Sequence, residues 1–180
     1  VIDDIYLNHI EDANVDRISN FCITGIELLL NKIAVDVSPE LPVFFGSRFG
    51  PLKSVHDFDK ICVINGALHA KPGRFPNAVL NSPTCRASIA HKINGPIYNV
   101  ANGIFSSLDA LGLAYMALCN YAFDSAIVCG ADEYSPLQRK MSDRDFTYVE
   151  SFGALLLTTD RQCGHEIIGY EKYRYSNRSG

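Results

Sequence analysis

No two of the six cysteines stand in a CxxC pair, and none is spaced from a histidine as in a zinc site. The five histidines form no HxxxH or HExxH pattern, so neither a metal centre nor any other cofactor is expected. Basic residues are the minority, 16 Lys and Arg against 20 Asp and Glu, and no basic tract offsets the net charge of −4. That balance argues against nucleic acid as the main ligand. No apolar run is long enough to span a bilayer. The nearest one, after Ile104, is interrupted by Ser106, Ser107, Asp109, Gly112 and Asn120. No signal-peptide pattern opens the sequence, and a cytoplasmic protein off the membrane is expected. Low-complexity stretches and short-period repeats are also missing.

What remains is a globular composition, 47% hydrophobic and 20% charged over 180 residues. This length suits one domain with a real core, or half of a larger double domain. Cys22, Cys62, Cys85, Cys119, Cys129 and Cys163 lie mostly in apolar runs and read as reduced, inert thiols.

Residues 1–13 read as a short strand or extended arm. Asn14 or Asp16 can cap a helix over 15–34, with Ile18, Phe21, Cys22, Ile26, Leu29, Leu30 and Ile33 at helical spacing. "VFFGSRFG" reads as a short buried strand, and 52–65 as a helix with Val55, Phe58, Ile61 and Cys62 on one side. The Pro- and Gly-rich "HAKPGRFPNAV" reads as an irregular crossing loop. A helix over 78–93 is limited or kinked by Pro83. Strand 97–101, a turn at Asn102–Gly103, helix 104–121 and strand 125–130 follow. Residues 134–145 read as a polar surface excursion, "FTYVESFGALLLTTD" as a strand, and "HEIIGYEKYRYS" as a last, half-exposed strand. Alternating helices and strands followed by two adjacent strands imply an α/β fold, mostly parallel, covered on both faces.

The segment around Ile104 has the form of a nucleophile elbow. Gly103 permits a sharp turn from strand into helix. The first turn of that helix carries free N–H groups and the positive end of the helix dipole, which would lower a thiol's pKa or hold an oxyanion. Isoleucine has no proton to lose and can only fill volume. The helix behind it, with Phe105, Leu108, Ala110, Leu111, Leu113, Ala114, Met116, Ala117 and Leu118, is apolar nearly all round and is expected to be buried.

"GPIYNVANGIFSSL" resembles the nucleophile segment of the β-ketoacyl-acyl-carrier-protein synthases, thiolase-fold condensing enzymes. Gly95, Pro96, Val100, Ser106, Ser107 and Leu108 match in register, and the family's cysteine falls on Ile104. "FDSAIVCGADEYSP" resembles the strand that follows. "VESFGALLLTTD", with Glu150, Gly153 and Ala154, resembles the family's Gly-Glu-Gly-Ala-Gly strand. "DRISNFCITGIELLL" and "PVFFGSRFG" match its first helix and second strand. The resemblance implies residues 1–180 as a single N-terminal-half domain: a mixed five-stranded sheet with helices on both faces. Nothing in the chain resembles the histidine loops of the family's second half. Condensation needs a thiolate and imidazoles, so the resemblance implies a non-catalytic relative of the chain length factors. Such a subunit pairs with a full-length ketosynthase in type II polyketide or fatty-acid-like biosynthesis. An acyl carrier protein is a further expected partner, through Lys71, Arg74, Arg86 and Lys92 or as solvated charges only. "SVHDFDK", "PNAVLNSP" and "GADEYSP" resemble small synthase-like proteins, some from aryl polyene clusters.

The resemblance places Arg74, Phe75, Pro76, Ala78 and Val79 on the loop that closes the partner's acyl pocket. Phe75 either caps that tunnel or packs its own loop. Tyr98, Val100 and Phe105 are the expected seam residues. Glu150 is expected to be a buried structural carboxylate, and Asp132 and Glu133 to cap or turn the chain after their strand. Two other readings stay open: an acyl-transfer or hydrolytic enzyme using Cys85 or Cys129, and a scaffold that only stabilises its partner.

Overall fold

The computed structural model describes residues 15–33, 38–141, 150–160 and 164–170. The expected arm at 1–13, Asn14, Ala34, residues 142–149, Cys163 and the end of the expected last strand lie outside them.

Helix α1 (Arg17–Lys32) starts at Asp16, whose carboxylate accepts from the Ser19 amide at 3.0 Å and the Ser19 hydroxyl at 2.7 Å. The same carboxylate accepts from Ser82 Oγ at 3.3 Å, which ties α1 to the start of α3 (Ser82–His91). Pro83 opens α3 rather than kinking it, because the missing N–H of a first-turn proline has no partner to lose. Between them lie strand β1 (Val43–Gly46) and helix α2 (Leu52–Asn65). The crossing loop contains two 3₁₀ turns, Ala67–His69 and Pro72–Asn77. Strand β2 (Ile97–Val100), a 3₁₀ turn (Gly103–Phe105), helix α4 (Ser106–Cys119), strand β3 (Ser125–Asp132), helix α5 (Pro136–Met141) and strand β4 (Ser151–Thr158) complete the described elements.

The sheet runs β2-β1-β3-β4, parallel through β3 and antiparallel at β4. β1 is buried at all four positions, and its alternation sorts the core. Val43 and Phe45 join Ile18, Cys22, Ile26, Ile127 and Cys129 on the face of α1 and α3. Phe44 joins Ala110, Ala114, Leu118 and Val128 under α4. The result is a helix–sheet–helix sandwich, as the alternation of elements implied.

Three differences from the expectation have physical causes. The sheet has four strands among the described residues rather than five. Residues 165–170 form no strand; the Tyr170 hydroxyl instead donates to Asp109 Oδ1 on α4 at 3.0 Å. The excursion at 134–145 is not all surface, since Ser135 and Gln138 are buried and the Gln138 amide donates to the Glu133 carbonyl at 2.7 Å. Helix α4 is buried only along Ser106, Asp109, Ala110, Gly112, Ala114 and Leu118, leaving Leu108, Leu113 and Met116 exposed. Helix α2 forms over 52–65 as expected, with Val55, Phe58, Ile61 and Cys62 half-buried.

Candidate functional site: an elbow without a nucleophile

The elbow is built as the sequence implied. β2 leads into Asn102, Gly103 takes φ 80°, and α4 begins three residues later. A left-handed φ at that position favours glycine. Ser106 braces the turn: its hydroxyl accepts from the Asn102 amide at 2.8 Å and donates to the Gly103 carbonyl at 2.7 Å. Asp109, nearly buried in the first turn of α4, accepts from Asn102 Nδ2 at 2.9 Å as well as from Tyr170. Burial, and then the Asp109 carboxylate, raise the Tyr170 phenol above its ordinary range. The bracing roles of Asp109 and Tyr170 were missed by sequence reasoning, which had Asn102 only as a turn residue; a carboxylate within an apolar helix was the available signal.

Two glycines let α4 sit against the sheet. A Cβ on Gly46 would fall 2.3 Å from the Ser106 carbonyl oxygen, and one on Gly130 would fall 2.2 Å from Ser107 Oγ. Ser107 Oγ in turn donates to the Gly46 carbonyl at 3.2 Å. The strand–turn–helix geometry read from the sequence is therefore formed. Ile104 at its tip is 66% exposed, so it fills no volume within this chain. Its neighbour Phe105 is 54% exposed.

β2 is an edge strand among the described residues, bonded to β1 alone. Tyr98 is 41% exposed and stacks on Phe44, ring centroids 4.5 Å apart. Val100 is half-buried against the α4 cluster. Tyr98, Ile104 and Phe105 thus leave apolar surface beside an open strand edge.

Phe75 is 55% exposed and makes an edge contact with Phe58 of α2, centroids 5.8 Å apart. It therefore packs on its own segment and leaves the rest of the ring outward. Pro76 lies within the same 3₁₀ turn, Arg74 is exposed, and Ala78 and Val79 are half-buried. Lys71 and Lys92 are exposed, whereas Arg86 is engaged by Asn77, its Nε donating at 3.1 Å.

The carboxylates hold loops. Asp132 accepts from Ser47 Oγ and the Arg48 amide, both at 2.9 Å, and Glu133 accepts from the Lys53 amide at 3.3 Å. Burial first, then Asp16 and Glu150, push the Glu133 carboxyl up to about 7, against the opposing hydrogen bond from Lys53. Glu150 is half-buried rather than buried. Arg17 grips it at 2.8 and 2.6 Å, and the Tyr134 amide donates to it at 3.1 Å. The Arg17 hydrogen bonds hold its pKa below the ordinary carboxylate value. That contribution to stability is present above the unfolded pKa and is lost as pH falls through the folded one. The pair is solvent-screened, so Glu150→Gln is expected to lower stability by about 1 kcal/mol or less in chemical denaturation at neutral pH.

Of the two alternative cysteines, Cys129 is unsuited to nucleophilic attack. Cys129 is buried and its thiol is pushed up to about 12 by desolvation. Cys85 is half-buried, with the Asn81 amide 3.5 Å from its sulfur. His91 is spent on the Ile23 carbonyl at 2.8 Å. No group of metal-ligating side chains occurs among the described residues, and no described helix is long and apolar enough to cross a membrane.

No family model matches the chain, and no curated protein matches it. Solved structures do. The ishigamide ketosynthase/chain length factor superposes with a TM-score of 0.74 at 24% identity, over 84% of this chain and 46% of that one. A ketosynthase (ApeO) in complex with its chain length factor (ApeC) from Xenorhabdus doucetiae gives 0.68 at 19%, over 81% of this chain and 58% of that one. AntDE:AntF, a type II polyketide synthase acyl-carrier protein in complex with its ketosynthase bound to the hexaketide, gives 0.65 at 18%, over 74% and 41%. The chain spans about half the length of the structures it matches and has the thiolase-like ketosynthase fold.

Proposed function

We propose that this chain is a non-catalytic, chain length factor-like subunit. It pairs with an active ketosynthase in type II polyketide or fatty-acid-like biosynthesis and shapes the acyl tunnel at their interface. The observation that carries the reading is a fully braced nucleophile elbow with an exposed isoleucine at its tip. An exposed aliphatic side chain beside an open strand edge suits contact with a second surface, not acyl transfer. The similar solved structures include a ketosynthase with its chain length factor, which supports the pairing, and one with an acyl-carrier protein, which supports a carrier as a further partner. An aryl polyene product is the narrower reading that the sequence resemblance carries.

Reading the chain as an enzyme with another cysteine is disfavoured by the buried, high-pKa thiol of Cys129. The scaffold reading differs only in whether Phe75 reaches the substrate. Co-expression with an intact ketosynthase, followed by product analysis, separates them. Phe75→Ala is expected to lengthen the products by at least one extension unit while the complex still assembles. Unchanged products from an assembled complex favour the scaffold. A stable acyl-thioester on the isolated chain removes the proposal altogether.

A further inference from the structure

Two residues of α4 are poor helix formers, and both meet the same side chain. Gly112 stands mid-helix, where glycine lowers stability relative to alanine. On the helical period it lies opposite Ala110 and Ala114, which face the sheet. Asp109, nearly one turn earlier, is a nearly buried carboxylate in an apolar run. The ring of Tyr170 accounts for the glycine: a Cβ on Gly112 would fall 2.3 Å from Tyr170 Cζ and 2.4 Å from Cε1. Its hydroxyl donates to Asp109 Oδ1 at 3.0 Å. Gly112 and Asp109 together make a socket for a phenol, with a bare flank of helix for the ring and an acceptor for the hydroxyl.

The segment that carries Tyr170 is otherwise loosely seated. Residues 164–169 are exposed throughout, Ile168 at 91%, and only Tyr170 is half-buried. A cleft of about 740 Å³ is lined by Gly164, Ile167 and Ile168 together with Tyr115, Leu118 and Cys119 of the helix. This stretch therefore crosses the end of α4 without packing down on it. Exposed side chains add little burial to hold it, and a segment seated mainly at one point opens locally at low cost.

We propose that residues 164–170 are a strap across the outer face of α4, reversibly fastened by Tyr170 in the Gly112–Asp109 socket, and that fastening stiffens the elbow. Asp109 is the link. Its Oδ1 accepts from Tyr170, and its Oδ2 accepts at 2.9 Å from Asn102 Nδ2, at the residue that leads into Gly103. A docked phenol holds the carboxylate in the orientation that Asn102 needs. An undocked one leaves Oδ1 to water and the carboxylate freer to turn. The strap is independent of the pairing proposed above.

Site-specific 3-fluorotyrosine at position 170 tests the strap on the whole chain. The wild type is expected to show a docked ¹⁹F resonance that exchanges magnetisation with a minor one at the shift of the urea-unfolded chain. Gly112→Ala puts a methyl in the place of the ring, and is expected to move the signal to the unfolded shift. Amide hydrogen exchange at Asn102, whose N–H is held by Ser106 Oγ, reads the elbow. Gly112→Ala and Tyr170→Ala are each expected to raise it roughly fivefold, the effect of losing the net support of one hydrogen bond. Should Gly112→Ala not fold, Tyr170→Ala, which leaves the helix sequence untouched, decides together with the wild-type resonances. A wild-type signal at the unfolded shift, a docked signal without an exchange partner, a docked signal that persists in Gly112→Ala, or unchanged Asn102 exchange in Tyr170→Ala would each overturn the strap.

Discussion

Tyr98→Asp combined with Phe105→Asp is expected to weaken pairing with a co-expressed ketosynthase by at least a hundredfold, about 3 kcal/mol. Both side chains are about half exposed and lie beside β2, an edge strand among the described residues. Burying a large aromatic contributes about 1.5–3 kcal/mol, and an aspartate in its place adds the desolvation of an unpaired charge. The fold itself should survive. Phe105 is more than half exposed, and Tyr98 contributes its stack on Phe44, about 1 kcal/mol. Affinity co-purification and analytical ultracentrifugation read the pairing, and a thermal melt reads the fold. Undiminished pairing by the doubly substituted chain would remove β2 and the elbow from the interface.

Gly46→Ala should be among the most damaging one-methyl changes at the described residues, as should Gly95→Ala, whose Cβ would also meet backbone atoms. The Cβ added at Gly46 would meet the Ser106 carbonyl at 2.3 Å and Ser107 Cα at 2.4 Å, and both atoms are backbone. No rotamer relieves such a contact, so α4 must lift from β1 and open the cluster of Phe44, Ala110 and Ala114 beneath it. A loss of about 3 kcal/mol or more is expected from denaturant midpoints. Gly130→Ala meets chiefly the Ser107 hydroxymethyl, with Oγ at 2.2 Å, and a side chain can give way. Its loss should be smaller, about 1–2 kcal/mol. Gly153→Ala meets nothing within 4 Å and should be close to neutral. A reversed order would mean that α4 is not seated on the sheet through Gly46.

Sequence reasoning went furthest where the determinants are local. Asp16 caps α1, β1 reads as a buried run, and Gly103 turns the elbow, all from residues within a few positions of each other. It fell short where the determinant is what covers a surface. The all-round apolar character of α4 implied full burial, yet among the described residues it is covered only in part, by the sheet and by Tyr170. Pro83 read as an interruption because the start of α3 at Ser82 depends on Asp16, 66 residues away. Asp109 carried no visible role, since its partners are Asn102, seven residues away, and Tyr170, 61 residues away. Phe75 left two possibilities open, and its contact with Phe58 keeps both.

The open space at the elbow tip has a practical use. Nothing lies within 4 Å of a Cβ at Gly103, and Ile104 is mostly solvent-facing. Position 104 can therefore carry a fluorophore or a photo-crosslinker without disturbing the Ser106 and Asp109 braces. A reporter there would sense whatever second surface closes over the turn.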